Sequence, residues 1–378
     1  MTDANTAVAA RLRQGISILL AVCLGLALPA AAAAPRLDGI SLPPGFKISI
    51  YARVPGARSM AVAAELGVVF VGTRADSIYA VVDADGDRRA DKVVKVKAGL
   101  HVPNGIAWRD GYLYVAEQHR VVRFPAADLR TLARAPPQVL FDGLPDSPWH
   151  GWRYAAFGAD GKLYVAVGSP CNICEVSGLE GTIIRLDPAG GEMEVYAGGI
   201  RNSVGMDFHP ATGELHFTDN GADNMGDDVP PDELNRAPGP GLDFGFPFYG
   251  GGDARTGAFK DRKPPPTTTM PEIRFAAHVA ALGIHFYGGA MFPEAYRNDA
   301  FVAQHGSWNR TIPDGYRVVR VKFDRQGHAL SHERFAEGWL VKGKAWGRPV
   351  DVKELADGSL LVSDDRLGAI YRITYRGR

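Results

Sequence analysis

His150 stands in the segment Pro148-Trp149-His150-Gly151-Trp152-Arg153. An imidazole there can take a proton near neutral pH, or it can be a satisfied core residue. Arg201 and Asn202 lie in Gly199-Ile200-Arg201-Asn202-Ser203-Val204-Gly205, just before an apolar strand, and Arg348 has the same placement before Pro349-Val350-Asp351-Val352. A buried unpaired guanidinium is costly, so each arginine must meet an anion or a carboxylate. Two or three arginines aimed at one channel imply a small ligand with several carboxylates. Pairing of each with an aspartate of a neighbouring repeat would satisfy the same pattern. Clustered oxygens occur in Asp219-Asn220-Gly221-Ala222-Asp223 and in Pro231-Asp232-Glu233-Leu234-Asn235. Hard oxygen ligands of this kind suit Ca²⁺, although loop acids are commonly just solvated. Asn104, Arg153, His305, Trp308 and Arg310 complete the set of side chains placed where strands begin or end.

The elements that must position these residues are announced by a phrase repeated six times. Its copies are Val69-Phe70-Val71-Gly72, Leu113-Tyr114-Val115-Ala116, Leu163-Tyr164-Val165-Ala166, Leu215-His216-Phe217-Thr218, Ala300-Phe301-Val302-Ala303 and Leu360-Leu361-Val362-Ser363. A second strand-like phrase lies upstream, as in Gly105-Ile106-Ala107-Trp108, Gly205-Met206-Asp207-Phe208 and Pro349-Val350-Asp351-Val352. Short strands joined by glycine turns at this period predict an all-β, six-bladed β-propeller. The opening Phe46-Lys47-Ile48-Ser49-Ile50-Tyr51 and the closing Ala369-Ile370-Tyr371-Arg372-Ile373-Thr374-Tyr375 are expected in one blade, which hides both edges. Between the fourth and fifth copies the interval is longer, and residues 221–284 read as one inter-blade insertion over the ring mouth.

The chain of 378 residues carries 42 basic and 42 acidic side chains. That balance argues against a nucleic-acid or membrane surface driven by bulk charge. Arg11 and Arg13, an apolar run over 16–28 and the alanines at 30–34 read as a signal peptide cleaved after 34. The expected mature domain is 35–378, periplasmic or secreted, with no stable membrane span after cleavage. Cleavage removes Cys23 and leaves Cys171 and Cys174, for which an oxidising compartment favours a short-loop disulfide. Glu175 stands where a haem-attachment motif needs histidine, and no further ligands lie at zinc-site spacing. The run Asp83-Ala84-Asp85-Gly86-Asp87-Arg88-Arg89-Ala90-Asp91 resembles the start of an EF-hand loop, but Arg88 replaces the sixth-position glycine and Val94 the twelfth-position glutamate. It reads as a tight turn first and a Ca²⁺ site second.

In the order and spacing of these segments the chain resembles the soluble glucose/sorbosone dehydrogenase family of pyrroloquinoline quinone (PQQ) enzymes, and most of all its sorbosone-dehydrogenase-type branch. The resemblance is carried by Leu42-Pro43-Pro44-Gly45-Phe46, the His150 segment, Cys171-Asn172-Ile173-Cys174 and Arg201-Asn202-Ser203-Val204-Gly205. Asp232-Glu233-Leu234-Asn235, Ala277-His278-Val279-Ala280-Ala281-Leu282-Gly283, His305-Gly306-Ser307-Trp308-Asn309-Arg310 and Gly347-Arg348-Pro349-Val350-Asp351-Val352 extend it over the mature chain. It implies PQQ and Ca²⁺ in the ring mouth, with His150 as the base that takes the substrate hydroxyl proton. It implies Arg201 at the reacting quinone oxygen, where negative charge develops. Asn104, Asn202, Asn220, Trp308, Arg310 and Arg348 are the expected cofactor contacts. Gly221 and Ala222 would offer backbone carbonyls to a catalytic Ca²⁺, and Asp232 and Glu233 would lie near a second, structural one.

The chain departs from the best-studied branch in three places. One residue fewer separates His150 from Arg153, Ala222 replaces a proline, and no lysine matches a cofactor-contacting one, a space that His305, Trp308 or Arg310 would fill. The expected activity is oxidation of an aldose or aldehyde-level sugar, with electrons passed to an external acceptor. Two rival readings are a Ca²⁺-dependent lactonase, which has no use for the arginines, and a silent propeller that binds a carbohydrate or protein.

Overall fold

The computed structural model describes residues 36–377; the expected signal peptide over 1–34 lies outside the described residues. Six sheets of antiparallel strands form the ring. Blade 1 runs through Met60–Ala63, Val68–Val71, Ile78–Val82 and Lys92–Lys97, and blade 2 through Gly105–Arg109, Tyr112–Ala116, Val121–Pro125 and Gln138–Phe141. Blade 3 holds Ala155–Phe157, Leu163–Val167, Thr182–Leu186 and Met193–Gly198, to which Leu242–Asp243 adds a short parallel strand. Blade 4 comprises Met206–Phe208, Leu215–Asp219, Pro231–Ala237 and Ile273–Ala277. Blade 5 comprises Ala281–Phe286, Ala300–Gln304, Arg317–Phe323 and Ala329–Glu337. Blade 6 takes Pro349–Glu354, Leu360–Asp364 and Ala369–Tyr375 from the end of the chain and Phe46–Arg53 from its beginning.

The first strand of every blade packs against the first strands of both neighbours, and the sixth returns to the first, so the ring is closed. The six copies of the repeated phrase are the second strands. These lie between two neighbouring blades, and in blades 1, 3, 4, 5 and 6 every residue of the strand is buried. Burial on both faces explains why they read, His216 apart, as unbroken apolar runs rather than as alternating ones. Asp110 (φ 49°) and Gly111 (φ 76°) form the two-residue turn between Arg109 and Tyr112, a conformation with both central residues left-handed that suits a tight hairpin. Phe46 and Tyr375 face each other in register, as expected for a blade shared by both ends. The ring of Phe46 lies within 5.3 Å of those of Phe292, Tyr296, Phe335 and Tyr375, which fastens the opening strand to the last two blades.

The interval 221–284 is not a single insertion. It contains the third and fourth strands of blade 4 and begins blade 5, so the loops are confined to 220–230 and 238–272. The strand Pro231–Ala237 escaped notice because its buried positions, on one face or the other, include Asp232, Glu233 and Asn235 in place of an apolar pattern. Polar residues also fill the channel. Asp351 of blade 6 accepts from the backbone of Met60 in blade 1 (2.8 Å) and from the Tyr154 hydroxyl beside blade 3 (3.0 Å). Opposite walls of the ring are thereby tied through one buried carboxylate.

Candidate active site

At one mouth of the channel a cavity of about 340 Å³ collects residues from every blade but the second. Arg58 and Arg74 come from the edges of blade 1, and Trp149, His150 and Trp152 from the segment entering blade 3. Arg201, Asn202, Asn220, Gly221, Asp223 and Asp232 belong to the entry and loops of blade 4, and His278, His305, Trp308 and Asn309 to blade 5. Arg348 opens blade 6. Apart from Asp232, on the strand Pro231–Ala237, these come mostly from loops before or after strands, where backbone has left the ladder and side chains can turn inward.

His150 is buried and has φ 51°, a strained conformation for a residue with a side chain. Its seat depends on Gly168, where an added Cβ would lie 2.5 Å from the Cβ of His150. His150 Nδ1 lies 3.0 Å from the carbonyl oxygen of Ser169 and 3.1 Å from its hydroxyl. The carbonyl can only accept, and the Ser169 hydroxyl gives its proton to the Cys171 carbonyl (2.9 Å). Nδ1 must therefore carry the proton, which leaves Nε2 as the acceptor. Burial, reinforced by the charge of Arg201, pushes the imidazole down to about 3, so it stays neutral at ordinary pH with Nε2 able to accept.

Arg201 is held from four directions. Its Nε and Nη2 donate to the backbone and side-chain oxygens of Asn172 (3.0 and 2.8 Å), Nη1 donates to the Asn220 carbonyl (3.0 Å), and Nη2 also reaches Asp223 (2.8 Å). Asn172 lies between Cys171 and Cys174, which are joined in a disulfide. One Nη1 proton of Arg201 is left for a ligand.

Arg58 pairs with Asp365 (2.6 Å), which also meets His305 Nε2 (2.9 Å). Arg348 donates to the carbonyls of His305 (3.0 Å) and Gly306 (2.5 Å). Arg74 stacks on the Trp152 ring at 3.6 Å. Burial, then the neighbouring Arg58, brings its guanidinium down to about 10. Among the described residues, neither Arg74 nor Arg348 has a salt-bridge partner, so pairing with an aspartate of the next repeat accounts for Arg58 and not for these two.

The structure moves two expected cofactor contacts away from the cavity. Asn104 is fully buried behind it, accepting from Arg58 Nε (2.7 Å) and donating to the Arg153 carbonyl (2.7 Å), so it supports Arg58. Arg310 turns outward to the carbonyls of Asp227 (2.6 Å) and Ala277 (3.2 Å) and to Asp228 (3.0 Å), fastening the 220–230 loop. Asn202, Asn220, Trp308, Arg348, Gly221 and Asp232 line the cavity, whereas Ala222 is buried beside it with its N–H on the Gly250 carbonyl. Glu233 lies on a separate cavity of about 10 Å³ that it shares with Asp219. Burial raises the carboxyls of Asp219, Asp232 (to about 7) and Glu233, the last also because Asp219 is near. Such carboxyls, together with the neighbouring carbonyls, form a donor set suited to a hard cation.

Arg58, Arg74, Asn172 and Asp365 were missed. Arg58 stands two residues before the first strand of blade 1, much as Arg201 and Arg348 stand before theirs, and that placement is the signal that would have found it. Nothing in the spacing marks Asn172 or Asp365, whose roles arise only when blades meet.

A closed propeller with a basic, histidine-bearing cavity at its mouth is the architecture of a small-molecule enzyme or binding protein. Residues 112–372 match the family Glucose / Sorbosone dehydrogenase, and the chain belongs to that family. An uncharacterized protein of Borreliella burgdorferi is 33% identical over 350 residues, which cover 89% of this chain and 91% of that protein. The holo form of the pyranose dehydrogenase PQQ domain from Coprinopsis cinerea shares the fold with a TM-score of 0.75 at 19% identity, over 91% of this chain and 99% of that one. The PQQ-bound aldose sugar dehydrogenase of Streptomyces coelicolor aligns with a TM-score of 0.63 at 18% identity, over 89% and 100%. A calcium structure of a carbohydrate-active enzyme from Trichoderma reesei aligns with a TM-score of 0.74 at 18% identity, over 92% and 100%.

Proposed function

We propose that the chain is a PQQ- and Ca²⁺-dependent dehydrogenase that oxidises an aldose or related aldehyde-level sugar of the glucose or sorbosone type. The observation that carries this reading is the meeting, in one cavity, of a neutral His150 with its Nε2 free and of Arg74 and Arg348 without carboxylate partners. The residues fit the implied cofactor: a tricarboxylic quinone suits a cavity with surplus guanidinium groups, and the oxygens around Gly221 and Asp232 suit the cation. When bound, the quinone supplies the hydride-accepting chemistry that no side chain possesses.

The chain's own residues do the rest. Arg58, Arg74 and Arg348 would bind and orient the carboxylates. His150 Nε2 would take the proton from the sugar hydroxyl as the carbon gives up hydride, and a cyclic aldose would leave as a lactone. The remaining Nη1 proton of Arg201 would face an oxygen on which negative charge builds. Trp149 and Trp308, exposed at the mouth, would offer flat faces to a sugar ring. Electrons would pass to an external acceptor. The Cys171–Cys174 disulfide supports a periplasmic or secreted location, and among the described residues no helix is long and apolar enough to cross a membrane.

The test is a titration of metal-stripped protein with PQQ and Ca²⁺, followed by the cofactor's absorbance and then by aldoses with a reducible dye. Saturable, Ca²⁺-dependent binding with sugar-driven dye reduction supports the reading. Absence of binding overturns it in favour of a silent scaffold.

A further inference from the structure

The loop 83–91 joins the third and fourth strands of blade 1 on the rim, apart from the cavity. We propose that it is a Ca²⁺ site in its own right, distinct from any ion at the cofactor. One carboxylate oxygen from each of Asp83, Asp85 and Asp91 lies within 4.8 Å of the others. Two oxygens bound to one Ca²⁺ at about 2.4 Å are at most about 4.8 Å apart, so the three are close enough to share an ion.

The second observation is at Asp83, which is only 6% exposed. Its Oδ2 accepts from the Arg88 backbone (3.1 Å) and faces the Arg88 guanidinium (3.5 Å), while its Oδ1 is sealed from solvent with no hydrogen-bond partner. A buried carboxylate oxygen left this way is costly unless a cation or water meets it. The other acids each commit a single oxygen to the backbone: Asp91 Oδ2 to Ala84 N (2.6 Å) and Asp85 Oδ1 to Asp87 N (3.1 Å). Each keeps its second oxygen free.

Asp83, Asp85, Asp87 and Asp91 occupy positions one, three, five and nine of an EF-hand-type loop, in which position seven offers a backbone carbonyl. Arg88 at position six has φ 67°, so the backbone makes the turn that glycine usually supplies. The bidentate glutamate of position twelve is missing, which predicts weak binding, on the order of 10⁻⁴ M. Such an affinity suits a compartment rich in Ca²⁺. The loop also touches blade 6, where Arg372 donates to the Arg88 carbonyl (3.2 Å), so an ion here would stiffen the contact between the first and last blades.

The experiment uses the mature protein, stripped with chelator and free of PQQ. Equilibrium dialysis with radioactive Ca²⁺ counts the ions bound by the wild type and by Asp85→Ala, a change at an exposed side chain that removes the ligand oxygen. The proposal expects the variant to bind one ion fewer per chain and to keep its PQQ affinity. It further expects about 10 mM Ca²⁺ to slow tryptic cleavage after Arg88 and Arg89 at least tenfold in the wild type and not in the variant. An unchanged ion count overturns it. Should the variant fail to fold, tryptic cleavage of the wild type at Arg88 and Arg89 that is indifferent to Ca²⁺ overturns it equally.

Discussion

Asn172 grips the guanidinium of Arg201 with both of its oxygens, the backbone carbonyl at 3.0 Å and the side-chain amide at 2.8 Å. The same amide oxygen accepts from the backbone of Asp223 (2.8 Å), so one residue inside the disulfide loop orders two walls of the cavity. Asn172→Ala should lower turnover about tenfold to a hundredfold, the range for lost hydrogen bonds to a charged group. Steady-state kinetics beside a thermal melt checks this. A melt that collapses in step with activity would reduce Asn172 to a general structural residue.

His150→Ala should abolish turnover, by about a hundredfold or more, while leaving PQQ affinity within a few fold. Cofactor titration and dye reduction on the same preparation separate the two effects. Equal loss of both would mean that His150 only holds the fold.

Gly168→Ala should act on the same base from behind. The new methyl would meet the His150 Cβ at 2.5 Å and its carbonyl oxygen at 2.7 Å, so the imidazole must shift. Activity should fall about tenfold or more and stability with it, because backbone as well as side chain is crowded. Wild-type kinetics in this variant would show that the position of His150 is not tightly set.

Arg74→Ala and Arg348→Ala should each weaken PQQ binding about tenfold, as loss of a charge-assisted contact predicts. Asn104→Ala should weaken it less, since Asn104 acts through Arg58. Spectroscopic titration of the three variants gives the order, and an Asn104 effect larger than that of Arg348 would contradict it.

His216 predicts acid sensitivity. Burial lowers it from 6.5 to about 4 in the folded protein. Between these values the unfolded chain binds the extra proton, so the stability held above about pH 6.5 is lost as pH falls toward 4. The loss from His216 is at most about 3 kcal/mol. His150, brought to about 3, and His305, brought to about 4, act in the same direction. The raised carboxyls of Asp219, Asp232 and Glu233 take up protons in the folded protein over the same range and act the other way, so the test is a difference: urea melts from pH 7 to pH 4 should show His216→Gln gaining stability relative to the wild type as pH falls. A difference that does not change with pH would remove His216 from the account.

The strands were legible because each second strand is buried on both sides, and the unbroken runs at Val69, Leu113, Leu163, Leu215, Ala300 and Leu360 advertise that burial. Pro231–Ala237 was hidden because Asp232 at the main cavity and Glu233 at the small neighbouring one stand where a strand would place leucine or valine. His150, Arg201 and Arg348 could be picked out by residue type beside an apolar strand. Asn104 and Arg310 share that sequence context yet turn to other partners, which linear spacing cannot encode. Asp365 becomes legible only once blade 6 stands beside Arg58, 307 residues earlier in the chain.

The pairing of Phe46 with Tyr375 sets an order on how the molecule comes into being. The first strand of the domain to be made has no partner until the last one arrives, so no prefix of the chain can finish the ring. A chain released a few residues early would keep an open edge on blade 6 and leave Phe46 without one of its ring neighbours. Completion of the ring thus waits on Ala369–Tyr375, whatever has been made before it.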